Sequence, residues 1–418
     1  NARWLPTWNI SGRWNLDEEA FFQPIKKIVS HAALKLSYSL TGDRGPGLSN
    51  STAIIASSSP FRPFTSVQES GLILSTLGND ELTYEKKTEF NLGIDLGFLE
   101  NRINVAMDVY TRDNHDLIGT TRTQGVGGEI AKFANIASMK SHGFELSISS
   151  NNIKTKDFSW NTDFIYSIYK NEVTDLNAIA TTMDYVSGTG FTMVGYPHRG
   201  LFSIPFAGLD SNGIPMFYNE KGEITSTDLS FQSSDDFSWL KYEGPTEPTF
   251  TGSLGNSFTY KNVHLNVFFT YSGGNVVRLD PVFSYRYSDL TATTREFKNR
   301  WMVPGDENRT NVPTILSYRQ YYENAELRNA YSAYNYSTER VAKGGFIRLK
   351  EISVAYDFPK KWLSALKVSN VSLKLQATNL CLLYADKKLN GQDPEFVNSG
   401  GVASPVPRQF TMTLRLGL

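Results

Sequence analysis

The chain has 418 residues, of which 40% are hydrophobic and 13% aromatic, with 21 Tyr, 26 Phe and 32 Gly; this profile is rich in strand formers and turn residues. With 41 Lys and Arg against 42 Asp and Glu the formal net charge is −1, so the basic footprint of a nucleic-acid binder is missing. A single cysteine, Cys381, excludes an internal disulfide, and no run approaches the ~20 apolar residues of a spanning helix.

That last exclusion leaves transmembrane barrels open, because a strand alternating lipid-facing and lumen-facing residues averages to neutral hydropathy. The opening Asn1-Ala2-Arg3-Trp4 carries no signal peptide, so the chain is expected to begin inside a longer protein. In chain order, irregular period-two patterns near 5–14 and 32–42 predict the first strands. Phe90, Leu92, Ile94, Leu96 and Phe98 then alternate with Asn91, Gly93, Asp95 and Gly97, and Ile103, Val105, Met107 and Val109 with Asn104, Ala106 and Asp108. Further strands are expected near 140–150, 158–170 and 248–260. Val263, Leu265, Val267, Phe269 and Tyr271 form the next apolar face.

A strand near 346–358 breaks phase: Ile352, Val354, Tyr356 and Phe358 share a parity with Arg348 and Lys350, which predicts a bulge or the membrane boundary near Lys350. Val371, Leu373, Leu375 and Ala377 oppose Ser372, Lys374, Gln376 and Thr378, and Phe410 to Leu418 closes the chain with the clearest alternation. Lys374, Gln376 and Arg415 are assigned to the lumen face. About eleven strands result, most near the ten residues that a tilted strand needs to cross a bilayer.

Connections near 99–102, 151–157 and 260–262 are tight and those near 15–31 and 358–369 modest, whereas 43–85, 172–247 and 275–345 are long. Short turns on one side and long loops on the other are the asymmetry of an outer-membrane barrel. Trp14, Phe98, Phe158, Tyr260 and Phe358 fall beside the short turns, as an interfacial girdle requires. The fold class is therefore read as all-β, a transmembrane antiparallel β-barrel with long extracellular loops. Eleven strands cannot close as an ordinary even-stranded barrel, and two open edges in lipid would leave costly backbone groups unpaired. The remaining half of the barrel is expected as a partner, and residues 1–418 are read as the C-terminal part of one barrel domain.

No catalytic constellation emerges: His31, His115, His142, His198 and His264 are scattered, and none has a triad or metal-ligand partner at recognisable spacing. The expectation is no enzyme, no cofactor and no metal. Asp210-Ser211-Asn212-Gly213 begins like a calcium loop but lacks the acid at the twelfth position, which favours a plain turn. Asp393-Pro394-Glu395 reads as a loop-shaping element. Aromatics concentrate in the long loops, and Phe217, Tyr218, Trp239, Trp301 and Tyr321 are the candidate substrate-binding residues. Two readings stand for them: aromatic faces that grip sugars or peptides, or side chains that pack the loops against each other or a partner.

Several segments resemble the SusC/RagA family of TonB-dependent outer-membrane transporters. Leu82-Thr83-Tyr84-Glu85-Lys86-Lys87-Thr88-Glu89-Phe90-Asn91-Leu92-Gly93 is similar to the family's L-x-W-E-K-T-x-x-x-N-x-G, with Tyr84 in place of the common Trp. His142-Gly143-Phe144-Glu145 resembles its N-x-G-x-E strand entry, and Gly208-Leu209-Asp210 with Gly213-Ile214-Pro215 its long-loop segment. Arg300-Trp301, Pro304-Gly305-Asp306 and Val312-Pro313 resemble another block, and Phe346 to Pro359, Gln376 to Leu380 and Asp393-Pro394-Glu395 the closing one. The resemblance implies about eleven C-terminal strands of a 22-stranded barrel in the bacterial outer membrane, with the plug and the first half of the barrel outside this chain. It further implies active import of a glycan or peptide with a SusD-like surface lipoprotein, energised by TonB-ExbB-ExbD through the N-terminal region. The alternative reading is a scaffold subunit that reuses a transporter-like barrel. Leu418 departs from the aromatic residue that usually ends such barrels.

Overall fold

A computed structural model describes residues 4–44, 54–58, 71–76, 79, 81–125, 130–233, 236–282, 294–363, 368–397 and 407–417. Eleven strands form one sheet: β1 (Trp8–Asn15), β2 (Val29–Asp43), β3 (Glu85–Phe98), β4 (Ile103–Arg122), β5 (Ala131–Lys154), β6 (Phe158–Leu176), β7 (Phe250–Tyr260), β8 (Val263–Gly273), β9 (Phe346–Asp357), β10 (Asn370–Ala385) and β11 (Gln409–Gly417). Each pairs antiparallel with the strand before and after it in the chain, so the sheet is an uninterrupted meander. The expected eleven strands are present in the expected places. Their lengths differ, because β4, β5 and β6 run to 20, 24 and 19 residues. At ~3.4 Å per residue such strands reach well beyond a ~30 Å hydrocarbon core.

The register sorts the residues onto two faces, since directly paired residues point the same way. Leu36, Leu92, Val109, Phe144, Ile168 and Phe250 are linked pair by pair across six strands, and Val263, Tyr356, Leu373 and Leu414 across four more. On this apolar face Leu36, Val109, Val354, Leu375 and Met412 are all exposed. The opposite face carries ion pairs and polar contacts: Lys35 Nζ lies 2.8 Å from Asp95 and Arg112 Nε 2.8 Å from Glu89, and His264 Nε2 is hydrogen-bonded to Asp357 at 2.8 Å. A few polar residues do share the apolar parity near the short turns. Asn256 Oδ1 accepts from Trp160 Nε1 at 2.9 Å and from the Thr162 hydroxyl at 2.8 Å, so these groups satisfy one another where lipid offers no partner.

The phase break at Lys350 is a bulge. Phe268 pairs with Glu351 while the next residue, Phe269, pairs with Leu349, so Lys350 is the extra residue on β9. The shift moves Arg348 to the polar face, while Ile352, Val354 and Tyr356 stay on the apolar one. A matching irregularity on β10 holds Asn379 in the left-handed conformation, at φ 53°.

An antiparallel meander places alternate connections at opposite ends. The five short ones share one end. Leu99, Glu100 and Asn101 turn there with φ of 53°, 60° and 61°, and Arg102 Nε ties that turn to the next by donating to Asn151 O at 2.7 Å. The aromatic girdle lies at the same end: Trp14 packs edge-on against Phe21, Phe158 pairs with Tyr260, and Phe358 contacts Tyr356. The long connections are at the other end. Leu418 and most of the segment expected as the first long loop lie outside the described residues.

Candidate functional site

The connections β6–β7 (residues 177–249) and β8–β9 (274–345) fold together into one packed body beyond the sheet. Helix α1 (Thr182–Val186) starts where Asp184 Oδ2 accepts the Thr181 amide at 2.8 Å. Helices α2 (Tyr318–Glu323) and α3 (Ala325–Asn335) are capped by Ser317 and Asn324, whose side chains accept from Gln320 N and Leu327 N. Strand Gly200–Ser203 pairs with Lys241–Pro245, and Phe206–Leu209, Pro215–Tyr218 and Ile224–Thr225 form a small sheet.

One core joins them. Tyr185, Phe202, Ile204, Phe217, Leu240, Ala330, Ala333 and Tyr334 are buried together, with Tyr185 packed against Phe191, Phe202 and Phe237. Each fully buried large side chain contributes roughly 1.5–3 kcal/mol. The two connections are also stitched by backbone, since Ile204 N donates to Tyr336 O at 3.1 Å and Ile204 O accepts from Thr338 N at 3.1 Å.

Arg278, at the base of the body, is buried. Its guanidinium donates to Ser203 Oγ, Ser337 O, Val186 O and Phe202 O at 2.7–3.1 Å. Burial pushes its pKa down to about 10, opposed by the charge of Glu243, and at neutral pH it remains a cation held by oxygen dipoles.

The candidate aromatic residues occupy different environments. Phe217 has no accessible surface and packs against Phe206, whereas its neighbour Tyr218 points outward. Trp239 lies partly buried against the same core. Trp301 covers Gly213, where the nearest indole atom would sit 2.5 Å from any added Cβ, and its Nε1 donates to Glu307 at 3.0 Å. Gly213 has φ 76°, so both backbone and space require glycine there. The Asp210 carboxylate accepts from Asn212 N and Ile214 N at 2.8 Å, which makes this segment a side-chain-capped turn. Tyr321 meets Tyr322 edge-on, Tyr322 packs on Tyr318, and Arg328 lies over the Tyr321 ring, so α2 presents a tyrosine cluster of which Tyr318 is 78% exposed. Phe217 and Trp239 thus share the core, while Trp301 and Tyr321 belong to separate surfaces.

On β10 and β11 the register puts Lys374 opposite Thr413, Gln376 opposite Thr411 and Arg415 opposite Ser372, all on the polar face. Lys374 Nζ lies 3.7 Å from Glu351 on the neighbouring strand.

A second group of contacts, invisible to pattern reading, fastens the β10–β11 connection to the body. Leu389 is buried against Val277, Leu279 and Ala342. Arg348, buried at the outer end of β9, donates to both Asp393 oxygens at 2.6 Å and lies 3.1 Å from Glu395. Asp393-Pro394-Glu395 therefore shapes its loop by gripping a strand cation. Between these fastenings lies a cleft of about 300 Å³ lined by Leu279, Asp280, Thr294, Arg295, Glu296, Arg340 and residues 388–392. Arg340 bonds Glu296 and the Asp280 carbonyl there. Arginines set among apolar neighbours, at 278 and 348, were the sequence trace of these sites; Arg340, after Thr338-Glu339, carried none.

No protein-family model matches the chain. Among curated proteins, TonB-dependent receptor SusC of Bacteroides thetaiotaomicron is 27% identical over 451 aligned positions, covering 100% of this chain and 40% of its own length. TonB-dependent receptor P3 of Formosa agariphila is 26% identical over 91% of this chain and 37% of its own length. Among solved structures, a chain of the RagAB peptide transporter superposes with a TM-score of 0.77 at 22% identity, over 98% of this chain and 43% of that one. The resemblance to the SusC/RagA family of TonB-dependent receptors is borne out. The chain spans about two fifths of the length of these relatives. Fold and likeness place it in a bacterial outer membrane, with the apolar face toward lipid.

Proposed function

We propose that residues 1–418 are the C-terminal part of one outer-membrane barrel, completed by further strands and a plug, and that the whole protein imports a bulky nutrient. The substrate class is an oligosaccharide or a peptide, captured together with a SusD-like surface lipoprotein and drawn inward by TonB-ExbB-ExbD acting on the plug. The observation that carries this reading is the pairing of a charged inner face with a folded loop body at one end of the same meander. Two long connections that share one buried core give the barrel a folded external body suited to capturing cargo. The proteins it resembles, the TonB-dependent receptor SusC and a chain of the RagAB peptide transporter, point the same way.

Within this reading, contact with cargo falls to aromatic residues that retain free surface, Tyr218 and the Tyr318, Tyr321 and Tyr322 cluster, with Trp301 as a neighbouring support; Phe217 and Trp239 act by holding the body together. Lys374, Gln376 and Arg415 line the route inward. The test is uptake of labelled oligosaccharide and peptide mixtures by cells making the full-length protein. Removing its TonB-contacting segment should abolish uptake and leave surface binding intact. Uptake that survives the deletion overturns the proposal.

A further inference from the structure

We propose that the cleft between the β8–β9 and β10–β11 connections is a carboxylate-binding site, suited to the end of an acidic oligomer: a uronate sugar or the C-terminus of a peptide. Its use as a cargo site rests on the import reading above; the binding chemistry does not. The cleft volume of about 300 Å³ is at the lower end of the range of small-molecule sites. Three cations, Arg295, Arg340 and Lys388, line it against two acids, Asp280 and Glu296.

Both acids are already engaged. Glu296 accepts from Arg340 and, at 2.8 Å, from Asn390 Nδ2; Asp280 Oδ2 accepts from Gln392 Nε2 at 2.7 Å. The cations retain unused donors. Arg340 is 3% exposed, yet its Nε has no acceptor, and the neighbouring Thr294 hydroxyl is likewise buried without a partner. An unmet buried N–H costs about 1–3 kcal/mol, and both of these unpartnered groups belong to residues that line the cleft. Arg295 and Lys388 are exposed and form no ion pair among the described residues. Asp386, whose charge acts on Lys388, directs its oxygens to the amides of Lys343 and Lys388. Arg295 and Lys388, both exposed on the lining, favour an anion over a neutral sugar. A planar carboxylate matches a guanidinium flanked by charge.

The site also joins two connections. Its wall at 388–392 comes from the β10–β11 loop and the rest from the body, so an occupant would tighten the fastening already made by Leu389, Asn390 and Gln392.

The experiment is calorimetric titration of the purified full-length receptor with four probes: trigalacturonate, trialanine, trialanine C-terminal amide and maltotriose. Trigalacturonate or trialanine, or both, should bind; which one does identifies the source of the carboxylate. The amide and maltotriose should bind at least about tenfold more weakly. Arg295→Gln combined with Lys388→Gln, both at exposed positions, should raise the Kd of the acidic probe by about tenfold or more, and added salt should weaken it further. Equal binding of acid and amide, no binding of either acidic probe, or an unchanged Kd in the double variant overturns the proposal. Uptake assays separate the two readings: carboxylate binding without transport removes the importer and keeps the cleft, and transport of a neutral oligomer without carboxylate binding does the reverse.

Discussion

The sheet and the loop body use the same residue types in opposite ways. In the sheet the large apolar side chains are the exposed ones, with Leu36 48% and Leu375 53% accessible, whereas in the body Phe217 and Tyr334 are at 0% and 1%. The reason is the solvent each region meets. The sheet is organised by its backbone ladder, and its side chains serve lipid on one face and a polar lumen on the other. The body sits in water beyond the membrane and is organised by burial, as a soluble domain is. One chain therefore carries two stability ledgers that should respond to different mutations.

The largest expected effect is in the body. Tyr334 is the largest fully buried side chain and touches Phe206, so Tyr334→Ala should cost about 3–5 kcal/mol. Hydrogen exchange on the full-length protein should show lost protection in α3 and in Gly200–Ser203, with the β3–β6 ladders unchanged. Loss of protection in both would mean that the two regions fold as one unit.

The next effect belongs to the sheet. Leu92, six residues from the β3–β4 turn on the apolar face, lies about 14 Å from that end at the usual rise and tilt, close to the middle of the hydrocarbon core. Leu92→Arg should cost about 2–4 kcal/mol. Asn91→Arg, one residue away on the polar face, should cost at most about 1 kcal/mol. Denaturant unfolding of the full-length protein in lipid vesicles checks both, and equal costs would refute the face assignment.

How much of this was readable beforehand follows the same division. Strands such as Phe90 to Phe98 announce themselves because a period of two is local, and even the bulge at Lys350 was signalled by Arg348 and Lys350 falling on the wrong parity. The body was not readable. Phe217 and Tyr218 are adjacent and looked equivalent, yet one is buried and the other free, because burial depends on Phe206 and on α3, more than 100 residues downstream. The contacts of Arg278, Arg340 and Arg348 likewise join positions 44 to 92 residues apart. No spacing rule encodes such pairs. Family likeness supplied the order of the blocks but not which loop residues face cargo.

The smallest effect tests the seam between the two regions. Asp386 stands where β10 leaves the sheet, and its carboxylate accepts from Lys343 N at 2.8 Å and Lys388 N at 2.9 Å. Desolvation raises its pKa, but those amides and the two lysine charges outweigh it and hold the group below 3.8. A carboxyl whose folded value is depressed stabilises fully above its unfolded value, and that contribution disappears as pH falls through the folded one. Between pH 7 and 5 the attachment of the β10–β11 loop should therefore be constant; below pH 4 the amides of Lys343 and Lys388 should exchange faster, after correction for intrinsic rates. Asp386→Asn removes the titrating charge, so its loop should be looser at pH 7 and should lack the acid transition, while the β10 ladder stays protected throughout. An acid transition of the same size in the variant would show that Asp386 is not the responsible group.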